Sequence, residues 1–253
     1  MNRRQLQFIL LPLLLLPVIG CGIKGPLRAK GSAQPAAPPA LTIAQQGEDL
    51  VLSWQVPASN QDGTPLTRLL GFDVYRLSYS PQDYCEECRD PATPRVHIDL
   101  NFPAPATRQG DRLIWRDSRV AVGYGYRYRV IPIASDGQTG AAGSTRRVVM
   151  TPPPAPTALQ IAPLDRGARI TWQPPTDLPP EMELIGIKIY RALGEEMLQP
   201  IGGSPLTDEG FDDFGLINGQ PYRYGLRSVV RSGDSVLEST LSELITIVPD
   251  AEL

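Results

Sequence analysis

Three patterns of alternating apolar and polar residues occur twice in this chain, in the same order. A period of two is the spacing at which side chains of a β-strand share one face, so each pattern predicts a half-buried strand. Three matches in the same order predict two copies of one structural unit. The matched pairs are residues 50–57 and 168–175, residues 70–76 and 185–191, and residues 124–130 and 220–226.

Four aromatic residues give the repeat a recognisable form. Trp54 and Trp172 each lie in the first pattern, and Tyr126 and Tyr222 each follow an apolar residue by six positions. This arrangement resembles the fibronectin type III domain, which has a buried tryptophan on its second strand and a tyrosine that fixes a corner. The resemblance implies an all-β fold of two tandem fibronectin type III-like (immunoglobulin-like) β-sandwiches.

The resemblance places the two domains at residues 41–152 and 153–250. A proline-rich segment, residues 151–156, separates them and predicts a short, stiff linker with limited bending. The basic pairs Arg127/Arg129 and Arg146/Arg147 are interpreted as outward-facing strand residues that discourage edge pairing.

The N-terminus has the layout of a secretory signal. Arg3 and Arg4 precede an apolar run that ends on a small residue before Cys21, so residues 1–20 are predicted to be a signal peptide. Residues 18–21 resemble a bacterial lipobox, in which the cysteine thiol receives diacylglycerol and the new amino terminus is acylated, for example with palmitate. The resemblance implies a lipid anchor at Cys21. Gly22, rather than an acidic residue, follows the cysteine, as in enterobacterial lipoproteins sorted to the outer membrane, so we expect an outer-membrane protein that faces the periplasm.

The residues directly after Cys21 carry a second resemblance. The segment C-G-x-K-G-P-L is similar to the start of LptM-type lipoproteins, a family associated with assembly of the lipopolysaccharide translocon. A membrane-proximal spacer with a favourable cation for lipid phosphates is the alternative interpretation. The motif residues are Gly22, Lys24, Gly25, Pro26 and Leu27.

Composition separates the anchor from the domains and excludes one class of partner. Residues 31–39 are rich in proline and poor in large apolar side chains, so residues 21–40 are predicted to form a lipidated start and a flexible tether. The formal net charge is −3, and it becomes −5 once Arg3 and Arg4 leave with the signal peptide. An acidic balance argues against nucleic acid as a partner.

The first copy differs from the second mainly by an insertion that holds Cys85 and Cys88. With Cys21 lipidated, these are the remaining thiols, and an oxidising compartment favours a disulfide between them. A catalytic redox pair and half of a metal site are the alternatives. The acidic neighbours would raise the thiol pKa, which disfavours redox catalysis, and a metal site needs further ligands. The chain has a single histidine, His97, interpreted as a strand-surface residue.

No catalytic motif is found, so we expect neither an enzyme nor a cofactor. The sequence lacks H-E-x-x-H, G-x-S-x-G and P-loop patterns. The carboxylate pairs Asp208-Glu209 and Asp212-Asp213 are interpreted as parts of a solvated turn rather than a calcium loop.

Three functions remain open. The first is an envelope lipoprotein that uses its sandwiches for protein interaction or scaffolding, with residues 80–110 as the best candidate surface. The second is an envelope-biogenesis factor that acts through the lipidated N-terminal segment. The third is a glycan-binding module. The expected partners are the membrane, through Cys21, and a protein of the cell envelope.

Overall fold

The computed structural model describes residues 33–251. The signal peptide, the lipidation site Cys21 and the motif at Gly22, Lys24, Gly25, Pro26 and Leu27 lie outside this range and stay predictions. Across residues 33–251, no helix is long and apolar enough to cross a membrane.

The described chain is built from β-strands and one 3₁₀ turn, Pro81–Asp83, which confirms the predicted all-β class. The first half contains β1 Thr42–Gln46, β2 Asp49–Gln55, β3 Leu69–Tyr79, β4 Val96–Asp99, β5 Thr107–Gln109, β6 Arg112–Asp117, β7 Gly125–Ala134 and β8 Gly143–Val148. The second half contains β9 Thr157–Leu164, β10 Gly167–Gln173, β11 Met182–Leu193, β12 Gln199–Leu206, β13 Gly210–Phe214, β14 Tyr222–Ser232, β15 Ser235–Glu238 and β16 Ile245–Ile247.

Two separate hydrophobic cores lie along the chain. In β2 every second residue is buried, as the period-two pattern requires, and Trp54 is fully inside. Trp172 on β10 occupies the same place in the second core at 3% exposure. Burial of each such side chain contributes roughly 1.5–3 kcal/mol, so these inward rows supply most of the driving force for each sandwich. The first core ends at Val149 and the second begins at Leu159.

The strands form three sheets, one of which runs through both halves of the chain. A four-stranded sheet, β4-β3-β7-β8, and a three-stranded sheet, β13-β10-β9, each belong to one half. The third sheet has the order β12-β11-β14-β15-β1-β2-β6-β5, with β16 also paired to β14. Its halves join where β1 pairs with β15 in parallel, at Gln45↔Leu237 and Gln46↔Glu238.

Hydrogen bonds across the junction hold the two halves together. The backbone N–H of Gly47 donates to the carbonyl of Glu238 at 2.9 Å. Arg147 reaches from β8 to the carbonyl of Val236 at 2.6 Å. Its side chain therefore binds the neighbouring sandwich instead of pointing outward, which corrects that part of the sequence interpretation.

The side chain of Gln45 fixes the start of the linker to β1. It is 1% exposed, its Nε2 donates to the carbonyl of Met150 at 2.6 Å, and its Oε1 accepts from the Met150 N–H at 2.9 Å. Stiff prolines alone were the predicted source of limited bending. The structure adds two further restraints, the shared sheet and this buried amide.

The C-terminal part of the predicted tether, residues 34–39, lies on the first sandwich, so the prediction of a free spacer over residues 21–40 is wrong for this stretch. The carbonyl of Pro39 accepts from Gln55 N–H at 2.9 Å, and the carbonyl of Pro35 accepts from Ala141 N–H at 2.9 Å. The rings of Pro35 and Pro38 are buried. Prolines lack donors but keep their acceptors, and a Cβ at Gly140 would lie 2.3 Å from the Pro35 oxygen, so glycine permits this approach.

We expect Gln45→Leu to lower the free energy of unfolding by about 2–3 kcal/mol, because it leaves the buried Met150 N–H and carbonyl without a partner. Urea unfolding followed by tryptophan fluorescence measures the change. Thr42→Val, at the exposed end of the same strand, is the control and should change stability by less than about 0.5 kcal/mol. Equal effects of the two substitutions would contradict the assigned role of Gln45.

Candidate interaction surface

The loop between β3 and β4 is the main difference between the two sandwiches. It spans residues 80–95, whereas the corresponding connection between β11 and β12 spans only residues 194–198. The longer loop contains the 3₁₀ turn and a disulfide between Cys85 and Cys88, with an S–S distance of 2.20 Å. The predicted disulfide is confirmed. We call residues 84–90 the disulfide loop.

Arg127, on β7, lies directly beneath the disulfide loop. Its guanidinium donates to the carbonyls of Cys85 at 3.3 Å, Glu86 at 2.5 Å and Cys88 at 2.5 Å, and to Oδ1 of Asp90 at 3.2 Å. Its side chain is only 4% exposed. The prediction that Arg127 faces outward is therefore wrong, because the inserted loop folds back over the outer face of β7 and covers it.

Two further arginines border the disulfide loop. Arg129 pairs with Oδ2 of Asp90 at 2.6 Å, so one carboxylate bridges two guanidinium groups. The guanidinium of Arg146 lies 4.0 Å from the centre of the Tyr84 ring, and the Tyr84 hydroxyl donates to the carboxylate of Glu86. Arg129 and Arg146 are about half exposed, as predicted, yet both are paired with the loop. The base of the loop is thus held by charge and aromatic contacts.

The tip of the disulfide loop is exposed to solvent, although the Glu86 carboxylate also contacts Tyr84 and Arg146. Glu86, Glu87, Cys88 and Arg89 are exposed. A shallow groove of about 450 Å³ lies between this tip and the start of β8, where Ala142 and Ser144 line it. The arrangement is a backbone fixed from below with charged side chains presented to a partner.

Each sandwich also buries one aspartate, in the same arrangement. Asp117 accepts from Arg76 at 2.8 Å and from the Tyr128 hydroxyl at 3.0 Å. Burial, followed by the neighbouring carboxylate, raises the pKa of Tyr128 far above its usual value, so this tyrosine stays a hydroxyl donor. The carboxylate of Asp117 is fully buried, and its charge is balanced inside the protein.

In the second sandwich the equivalent carboxylate belongs to Asp213. It accepts from Arg191 at 2.9 Å and from the Tyr224 hydroxyl at 2.7 Å, and burial again raises the pKa of Tyr224. The interpretation of Asp212-Asp213 as a solvated turn is wrong for Asp213, which lies on β13 with its side chain 8% exposed. Both buried aspartates stand eleven residues before their tyrosine, a spacing that a longer repeat comparison would have found.

The neighbouring acidic residues behave differently. Asp212 forms a two-point ion pair with Arg169 at the surface, and the hydrogen bond from Arg169 lowers the pKa of Asp212. Asp208 and Glu209 are exposed. His97, on β4, is also exposed and lies 2.7 Å from Oδ1 of Asp73. Within residues 33–251, no group of three or more His, Cys, Asp or Glu side chains is arranged to hold a metal ion.

The corner tyrosines hold the loops that precede them. Tyr126 accepts from the N–H of Ala121 at 2.9 Å, and Tyr222 accepts from the N–H of Ile217 at 3.1 Å. The guanidinium of Arg76 lies 5.3 Å from the Tyr126 ring centre, which links this corner to the buried carboxylate. These tyrosines are structural residues of the sandwich rather than parts of an exposed site.

Comparison with known proteins gives structural neighbours only. No protein-family model matches the chain, and no curated protein matches it. Among solved structures, it is similar to the FN1–FN3 domains of chicken CNTN1, at 14% identity and a TM-score of 0.34, covering 88% of this chain and 70% of that chain. A structure titled "Myokine structure" is similar at 20% identity and a TM-score of 0.31, covering 39% of this chain and 99% of that chain. The fold assignment rests on the strand pairing described above.

We expect Asp213→Ala to lower the free energy of unfolding by about 2–4 kcal/mol, because it leaves Arg191 and the Tyr224 hydroxyl without their acceptor. Asp212→Ala removes an adjacent carboxylate that pairs at the surface, and it should lower the free energy of unfolding far less than Asp213→Ala does. Chemical denaturation of both variants tests the difference. An equal decrease in the free energy of unfolding for the two variants would contradict the role assigned to the buried Asp213 carboxylate.

Proposed function

We propose that this protein is a non-enzymatic, membrane-anchored envelope lipoprotein that uses its two fibronectin type III-like sandwiches for protein interaction or scaffolding. The observation that supports this most directly is the disulfide loop, whose backbone is fixed by the buried Arg127 while its tip is exposed. A loop that is already ordered loses little conformational entropy on binding, which favours its use as a contact surface.

The charges of the disulfide loop define the kind of partner that would fit it. Glu86 and Glu87 are exposed, Glu86 also pairs with Arg146 at 3.7 Å, and Arg89 follows them in the chain. A partner protein with basic groups opposite the two glutamates and an acidic group opposite Arg89 would match this pattern. Such complementarity contributes mainly to specificity and association rate.

The buried carboxylates support a non-enzymatic role. Asp117 and Asp213 are enclosed by an arginine and a tyrosine each, so neither is placed to exchange a proton with a substrate. All three tryptophans, Trp54, Trp115 and Trp172, are buried in the described cores, which disfavours a sugar-binding indole platform.

The docked N-terminal segment gives the proposed anchor a definite reach. With a lipid on Cys21 and the chain held on the first sandwich from residue 34 onward, residues 22–33 would set the greatest distance between the two. Fully extended, that length spans about 40 Å. The first sandwich would then stay close to the periplasmic face of the outer membrane, within reach of membrane-bound partners.

A photo-crosslinking experiment tests the interaction surface. A photoreactive amino acid at Glu87 in the full chain should give a discrete adduct with an envelope protein. The same probe at Gln160, an exposed position on β9, is the matched control and should not give that adduct. Identical adduct patterns at the two positions, or none at Glu87, would contradict the proposed surface.

A second candidate function is supported by the segment C-G-x-K-G-P-L after Cys21, which resembles LptM-type lipoproteins. Here the lipidated segment would act in envelope biogenesis and the sandwiches would be an addition. Deletion of residues 41–250 should abolish function if the sandwiches bind the partner and preserve it if the segment suffices.

Labelled palmitate should attach to the full chain and not to the Cys21→Ala variant. Labelling of both proteins would contradict a lipid anchor at Cys21, on which both proposals depend.

A further inference from the structure

The disulfide Cys85–Cys88 closes a very short ring at the protein surface. Cys88 is exposed, whereas Cys85 is half-buried. A ring of this length restricts the unfolded chain only slightly, so chain entropy contributes less to its stability than it does for a long-range disulfide. Local contacts of the ring therefore decide how easily the bond opens. Exposed disulfides of this kind are the ones most open to exchange.

The strongest of those local contacts is with Arg127. The carbonyls of Cys85, Glu86 and Cys88 converge on one guanidinium within the short ring that the disulfide closes. Because Arg127 is 4% exposed, water cannot replace these acceptors without movement of the loop. Hydrogen bonds to a buried cation are stronger than those between neutral groups, so the closed ring and the guanidinium stabilise each other.

Opening the ring would leave Arg127 with a weaker set of acceptors. The fixed anion is Asp90, which lies 3.2 Å from Arg127 and also binds Arg129 at 2.6 Å. The disulfide-closed ring and the Arg127 guanidinium stabilise each other reciprocally. If the closed ring holds Arg127, then Arg127 favours the closed ring by the same free energy.

We propose that the Cys85–Cys88 bond is a reversible redox site for a dithiol, and that its state switches the disulfide loop between a fixed and an open form. Arg127 stabilises the oxidised, fixed form. The consequence for partner binding rests on the proposed function, whereas the redox site itself does not.

The exchange is a two-electron reduction by a dithiol. One thiolate of the dithiol attacks Sγ of Cys88, which is the more exposed of the two cysteines, the S–S bond breaks, and Cys85 leaves as a thiolate. The second thiolate of the dithiol then attacks the dithiol sulfur that is bonded to Cys88. That S–S bond breaks, and Cys88 leaves as a thiolate. The dithiol becomes a disulfide, and its two protons pass to Cys85 and Cys88.

The second sandwich provides a matched control for Arg127. Arg223 holds the equivalent place between Tyr222 and Tyr224, and it donates to the carbonyl of Glu196 at 2.8 Å in the short connection after β11. It thus supports a loop in the same manner but has no disulfide above it. Replacement of either arginine removes one cation from the same strand position.

The full chain, oxidised and reduced against a series of dithiothreitol redox buffers, tests the coupling. Alkylation and mass spectrometry measure the reduced fraction of Cys85–Cys88. Arg127→Met should raise the ratio of reduced to oxidised protein at least about tenfold at a given buffer, and Arg223→Met should leave it within about twofold. Arg127→Lys, which keeps the charge but loses the planar fork, should lie between them. Superposed titrations of wild type and Arg127→Met would overturn the proposal.

A second measurement uses the wild-type chain alone, in case Arg127→Met fails to fold. Hydrogen exchange should accelerate in residues 84–90 after reduction, while strands β11 and β14 keep their protection. Unchanged exchange in the loop would also overturn the proposal. Photo-crosslinking from Glu87 then distinguishes the redox switch from the proposed binding surface. If Arg127 does not affect the redox equilibrium of Cys85–Cys88 but the adducts at Glu87 are retained, only the switch is rejected. Retained coupling without adducts rejects only the proposed binding surface.

Discussion

A charge that is removed from water must be neutralised where it lies, and this constraint shapes both sandwiches. Asp117 and Asp213 are each enclosed by an arginine and a tyrosine hydroxyl. Glu238, at the junction, binds Lys188 at 2.6 Å and the Tyr190 hydroxyl at 2.7 Å. Removing one member of such a set leaves an uncompensated charge, which costs several kcal/mol. A shifted strand register would separate these partners and is therefore disfavoured.

The same constraint links the inserted loop to the sheet beneath it. Arg127 would be an ordinary surface arginine if β7 faced solvent, but the disulfide loop covers it and supplies its acceptors through backbone carbonyls. The loop gains a fixed shape and the sheet gains a satisfied cation. A surface built in this way combines exposed side chains with a rigid backbone, which is the property that an interaction loop needs.

The junction between the sandwiches determines what the rest of the molecule can do. Parallel pairing of β1 with β15 merges one sheet from each half, and Gln45 ties the linker to the same strand. The N-terminal segment at residues 34–39 packs on the first sandwich. A lipid anchor would therefore act on a joined pair of sandwiches rather than on two domains connected by a flexible linker. Orientation relative to the membrane would then be shared by both.

The sequence by itself determined the all-β class, because period-two patterns and their repetition report which residues of a strand share a face. It also indicated the disulfide, since two cysteines three positions apart were the thiols left after Cys21. Local periodicity cannot report what covers the other face of a strand. For this reason the sequence pattern predicts a surface position for Arg127 and Asp213, and a free tether for residues 34–39. The pairing of Arg76 with Asp117 joins residues 41 positions apart, and that of β1 with β15 joins the two ends of the described chain. Contacts of this range are decided only when the tertiary structure brings the strands together, because they depend on which buried charge needs which partner.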